Sequence, residues 1–98
     1  MAEYQGQTKT INKLSEPPSY RVILLNDDYT TQEFVIEVLI EIYQKNENEA
    51  INLMLMVHKE GSATVGVYCY DVAATKVQMT IELARRKSYP LQAIYERV

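Results

Sequence analysis

The chain is 98 residues long, 47% hydrophobic and 23% charged, with a formal net charge of −3. That length suits one small domain, and the composition excludes wholesale disorder. The slight acidity argues against a nucleic-acid partner, which needs a basic face, and no apolar run approaches the ~20 residues that cross a bilayer. The one cysteine, Cys69, excludes an intrachain disulfide and fits a reducing compartment. The opening residues have neither a basic n-region nor an apolar h-region, so the expected location is the cytoplasm.

Residues 1–18 are mostly polar, lack an apolar period and end in Pro17 and Pro18. They read as a flexible tail ahead of a core domain over 19–98, because so little apolar surface does not offset the entropy of ordering. Tyr20–Leu25 reads as a strand that ends in an apolar run, Val22–Leu25. Asn26, Asp27 and Asp28 then form a polar turn. Thr30 and Glu33 have the spacing of a capping box, which predicts a helix over about 31–43. Val35, Val38, Leu39 and Ile42 form its apolar stripe. Ile36 and Ile40 lie off that stripe and predict burial on more than one side.

Asn46 and Glu49 repeat the helix-start spacing, and Ala50, Leu53, Met54 and Val57 give the second helix its apolar face. Gly61 stands where a helix-ending glycine belongs. Ala63–Tyr70 alternates, with Ala63, Val65, Val67 and Cys69 predicted on one side. That places Cys69 as a buried, inert thiol. Asp71 is the predicted N-cap of a third helix over about 72–87, with Ala73, Val77, Ile81 and Ala84 as its buried row. Arg85, Arg86 and Lys87 fall in the last turn, where the helix dipole favours cations. Leu91–Arg97 is the last strand, with Leu91, Ala93 and Tyr95 on one face. The order β-α-α-β-α-β predicts an α+β two-layer sandwich: a small three-stranded antiparallel sheet with three helices on one face.

The chemistry-bearing group is Asn26, Asp27, Asp28 and His58. Asp27 and Asp28 serve either as turn and cap residues or as acceptors for a cation. His58 is either a solvated histidine at a helix end or part of the same acceptor cup. With one histidine and no cysteine cluster, the ligand types argue against zinc. The loop lacks the spaced oxygens of an EF-hand, and no nucleophile stands by for a triad. A cup of carboxylate, amide and imidazole suits an ammonium group. A small divalent-metal-binding or hydrolase-like domain using Asp27, Asp28 and His58 is the alternative. Met54, Met56 and Met79 are either core filler or the lining of an adaptable apolar pocket.

The run Asn26, Asp27, Asp28, Tyr29, Thr30, preceded by Pro17–Leu25 and followed at a distance by Leu53–His58, resembles the ClpS family, the adaptor proteins of the bacterial N-end rule pathway. Gly66–Tyr68, Val72–Val77 and Tyr89–Leu91 extend the likeness, which covers residues 17 to about 92. The resemblance implies a non-enzymatic adaptor without cofactor or metal, monomeric, with no nucleic-acid or membrane partner. It would bind the free α-amino group and the large first residue (Leu, Phe, Tyr or Trp) of a substrate's N-terminal segment. It would deliver that substrate to the N-terminal domain of a Clp-type AAA+ unfoldase. The implied α-amino ligands are Asn26, Asp28 and His58, with Asp27 beside them. The implied pocket comprises Leu24, Leu25, Thr30, Gln32, Val35, Met54, Val57 and Leu91. The implied unfoldase-docking surface spans Asp71 to Lys76, with Thr75 between them, and the tail would be needed for handover. The chain departs from the family at Gln32, where methionine is usual. That departure bears on the ranking of first residues.

Overall fold

The structure, a computed structural model, describes residues 17–98. The elements are β1 (Ser19–Leu25), α1 (Gln32–Glu41), α2 (Glu47–Glu60), β2 (Ser62–Cys69), α3 (Tyr70–Arg86) and β3 (Gln92–Arg97). This is the α+β order expected from the sequence. Of the predicted tail, residues 1–16 lie outside the described residues.

β1 is the central strand, antiparallel to β2 on one side and β3 on the other. Its alternate residues Val22 and Leu24 are fully buried, while Arg21, Ile23 and Leu25 fall on the other face and are half-buried. α2 and α3 pack on the Val22–Leu24 face, and α1 packs on α2. Val38, Leu39, Ala50, Val57, Val65 and Leu91 fill the space between. Truncating a side chain as enclosed as Leu39 to alanine costs roughly 2–5 kcal/mol.

The predicted alternation of β2 holds only for its first half. Val22 pairs with Gly66 and Ile23 with Thr64, so Val65 is an extra residue in the ladder, a β-bulge. Ala63 and Val65 are buried, but beyond the bulge the pattern reverses. Gly66 and Tyr68 turn toward the helices, while Val67, 55% exposed, and Cys69 turn outward. Cys69 is therefore an exposed thiol, not the buried one predicted. Gly66 is needed at this point because the Tyr68 ring lies where a Cβ would sit.

Two predicted caps move by one or two residues. Thr31, not Thr30, caps α1, its hydroxyl accepting the Phe34 N–H at 3.1 Å. Thr30 is drawn away by Asp27, as described below. Cys69 stands at the N-cap of α3 with no side-chain bond, and Asp71 falls inside the first turn. The α2 start is as expected: Asn46 and Glu49 exchange side-chain-to-backbone bonds. α1 stops at Glu41, and Ile40 is 39% exposed, so its burial is one-sided.

The buried row of α3 contains Thr80, fully enclosed, where Ile81 was predicted; Ile81 is only half-buried. A polar residue is tolerated there because its hydroxyl lies 2.7 Å from both the Tyr43 phenol and the Lys76 carbonyl. Burial pushes the Tyr43 phenol up to about 12, against a lowering by the Thr80 hydrogen bond.

Candidate functional site

β1 ends at Leu25, and the three polar residues that follow fold back on themselves. Asp27 is the hub. One carboxylate oxygen accepts the N–H of Tyr29 at 2.8 Å and of Thr30 at 2.7 Å, and the other accepts the Thr30 hydroxyl at 2.7 Å. This is an Asx-type turn, in which a short carboxylate replaces a backbone acceptor. Partial burial pushes the Asp27 carboxyl up. The Thr30 hydroxyl, the two backbone amides and the Arg85 charge outweigh that push and hold it below its ordinary value.

The turn is fastened to α2. The Asn26 N–H donates to the Gly61 carbonyl, and the Gly61 N–H donates to the Val57 carbonyl, each at 2.9 Å. Gly61 adopts φ 91°, the left-handed conformation that lets the chain leave α2 and enter β2. His58, in the last turn of α2, is thereby brought to the Asn26–Asp28 turn.

Between them is a cavity of about 230 Å³. Its lining combines polar Asn26, Asp27, Asp28 and His58 with apolar Val35, Met54 and Val57, together with Thr30 and Gln32. The apolar three are buried to 6% exposure or less, whereas Asn26, Asp28 and His58 are exposed. The volume is below the roughly 300–1,000 Å³ of small-molecule pockets and suits a single side chain. Leu24, Leu25 and Leu91, implied as pocket residues, are not in the lining: Leu24 and Leu91 are core, at most 1% exposed, and Leu25 is on the strand's other face.

The two acidic residues thus differ. Asp27 is committed to its own turn, while the exposed Asp28 has no such internal role. Among the described residues, no three His, Cys, Asp or Glu side chains gather as a metal site.

A second depression, of about 330 Å³, runs along α3 between Asp71, Val72, Thr75, Lys76 and Met79. Met79 and Val72 are 47% and 40% exposed. The Lys76 ammonium is held from below. It donates to the Ile42 carbonyl and, at 2.8 Å, to the Gln44 side chain. It also lies 5.6 and 5.4 Å from the ring centres of Tyr43 and Tyr68.

The model described as "ATP-dependent Clp protease adaptor protein ClpS" matches residues 15–94. The chain belongs to the ClpS family. The ClpS adapter of Nautilia profundicola is 56% identical over 82 residues, which is 84% of each chain. That of Treponema denticola is 49% identical over 96 residues, covering 96% of this chain and 95% of that one. Among solved structures, Agrobacterium tumefaciens ClpS2 bound to L-phenylalaninamide superposes with a TM-score of 0.82 at 38% identity. It covers 84% of this chain and 99% of its own. ClpS proteins are adaptors of the Clp protease rather than catalysts. No helix among the described residues is long and apolar enough to cross a membrane.

Sequence reasoning missed two contacts outside the cavity lining. Arg85, read only as a dipole-matched cation, bonds the backbone of the 89–91 segment. Tyr89 packs its ring on Phe34 at 4.7 Å. No local pattern signals either contact, since both arise from how α3 turns back into β3.

Proposed function

We propose that this ClpS-family chain binds the free N-terminus of a substrate protein whose first residue is large and apolar, and passes it to a Clp-type AAA+ unfoldase. The single observation that carries this reading is that hydrogen-bond acceptors and an apolar cavity of about 230 Å³ share one concavity. In this reading Asn26, Asp28 and His58 take the α-ammonium, and the first side chain fills the space over Val35, Met54 and Val57. The phenylalaninamide bound to the Agrobacterium relative is a free amine joined to a benzyl group, which supports the same division of labour.

The physics fits. A free α-amine titrates near about 7.7–8.0 and is mostly charged at neutral pH, and internal peptide bonds carry no such charge. Burying an aromatic side chain of roughly 150–200 Å² contributes about 4–5 kcal/mol. Each charge-assisted hydrogen bond adds about 1.5–3 kcal/mol. After ordering costs, an affinity near micromolar, about −8 kcal/mol, is expected. The cavity supplies most of the affinity and the acceptors supply the discrimination, because an internal peptide leaves them unpaired.

In the same reading the protein is a cytoplasmic monomer that catalyses nothing. The α3 groove from Asp71 to Lys76 docks on the unfoldase's N-terminal domain, and residues 1–18 assist handover. Fluorescence anisotropy with a Phe-initiated peptide and its N-acetylated twin tests the central claim. Strong preference for the free amine is expected; equal binding would overturn it.

A further inference from the structure

Outside the cavity lining, the last turn of α3 holds a side-chain clamp. Arg85 directs one guanidinium nitrogen at two backbone carbonyls, those of Tyr89 at 2.8 Å and Leu91 at 3.0 Å. This clamps the tight connection into β3, where Ser88 takes a left-handed φ of 64°. The Tyr89 N–H returns to the Ala84 carbonyl at 2.8 Å, so the connection is closed from both ends.

The clamped Tyr89 is not in the cavity lining but touches the element that supplies part of it. The Tyr89 ring lies on Phe34 in the first turn of α1. The Tyr89 phenol oxygen accepts the Thr31 hydroxyl at 3.4 Å, and Thr31 is the N-cap that starts α1. Thr30, Gln32 and Val35, which line the cavity, flank those two contacts in sequence. The Arg85 charge also favours the ionised form of Asp27.

We propose that Arg85 is a positioning residue for the peptide site: through Tyr89 it fixes the cavity wall formed by the 27–35 segment, without touching the bound chain. The role rests on the peptide-binding reading above. Lysine at this position keeps the charge but carries it as a compact ammonium on a flexible stem. It separates the clamp from simple electrostatics.

The test uses the full chain with Arg85→Met, Arg85→Lys and Tyr89→Phe. Affinity for a Phe-initiated peptide is measured beside the melting temperature and the ¹H–¹⁵N signals of Tyr29, Thr30 and Phe34. Arg85→Met should weaken the peptide about five- to tenfold while the protein stays folded at the assay temperature, and should shift those amide signals. Arg85→Lys should recover part of the loss, and Tyr89→Phe should show a smaller loss, about twofold. Unchanged affinity in Arg85→Met, or a loss accounted for by the unfolded fraction alone, would overturn the proposal. The NMR arm keeps the two readings apart. If the unmodified protein binds no peptide, the peptide-binding reading fails, and unmoved Tyr29 and Thr30 signals in Arg85→Met overturn the positioning role by themselves.

Discussion

The backbone N–H of Asn26 donates to the carbonyl of Gly61 at 2.9 Å, joining the turn after β1 to the residue that ends α2. The site exists because of that junction. Asn26 and Asp28 come from the strand end and His58 from the helix end, and the bond holds the two ends together. Gly61 is in the left-handed region with nothing within 4 Å of where a Cβ would be. Gly61→Ala is therefore strained by conformation and not by crowding. It should destabilise by about 1–2 kcal/mol, read from the urea midpoint, with Gly61→Asn milder. Peptide affinity should fall in the same order. An alanine variant of full stability would show that the cap does not fix the turn.

Asp27 and Asp28 should separate on substitution. Asp28→Ala should weaken a Phe-initiated peptide by tenfold or more at unchanged melting temperature, since one charge-assisted bond contributes about 1.5–3 kcal/mol. Asp27→Ala removes the acceptor for three hydrogen bonds of the turn. It should lower stability by about 1–2 kcal/mol, as loss of a capping side chain does, and affinity with it. Asp27 also has a pH signature. Its folded carboxyl is held below the ordinary 3.8, so its contribution is whole above that value and drains away as pH falls through the lower folded value. Asp27→Asn should flatten this acid limb in a series of urea melts.

Tyr43 sets the alkaline limb. Its phenol is raised from 10.0 to about 12, so its contribution is complete below 10 and is lost as pH climbs toward 12. Tyr43→Phe should cost about 1 kcal/mol at neutral pH, the worth of the bond to Thr80, and make the high-pH melts shallower. Tyr68, also raised by burial, leaves a residual slope. An unchanged alkaline limb in Tyr43→Phe would remove this role.

Gln32 lines the cavity and is itself exposed. Gln32→Met replaces a hydrated amide by a flexible apolar chain. The expected outcome is a changed order among Leu-, Phe-, Tyr- and Trp-initiated peptides, with stability altered by less than about 0.5 kcal/mol as for exposed substitutions generally. Titration of a peptide panel reads this directly, and an unaltered order would exclude Gln32 from selectivity.

The sequence carried the element order because each element has a local signature: the apolar run of β1, the Asn46–Glu49 box, the Gly61 stop. It also brought together the residue types of the cup. It left undecided which acid faces outward, since Asp27 and Asp28 have equal claims on a turn until backbone amides choose one. The reversal in β2 was invisible because period-2 reasoning has no term for an inserted residue, and Val65 is as apolar as its neighbours. The Thr80–Tyr43 bond and the Arg85 clamp were hidden for another reason. Each joins residues whose meeting depends on how helices dock, and spacing along the chain says nothing of that.

The extra residue at Val65 has a practical consequence. By rotating the last half of β2, it delivers the chain's lone sulfhydryl to open solvent at the start of α3 and outside the cavity lining. A maleimide dye attached to Cys69 gives a homogeneous, single-site conjugate without mutagenesis. Its emission reports events along α3 while the cleft between the Asn26–Asp28 turn and His58 stays chemically untouched.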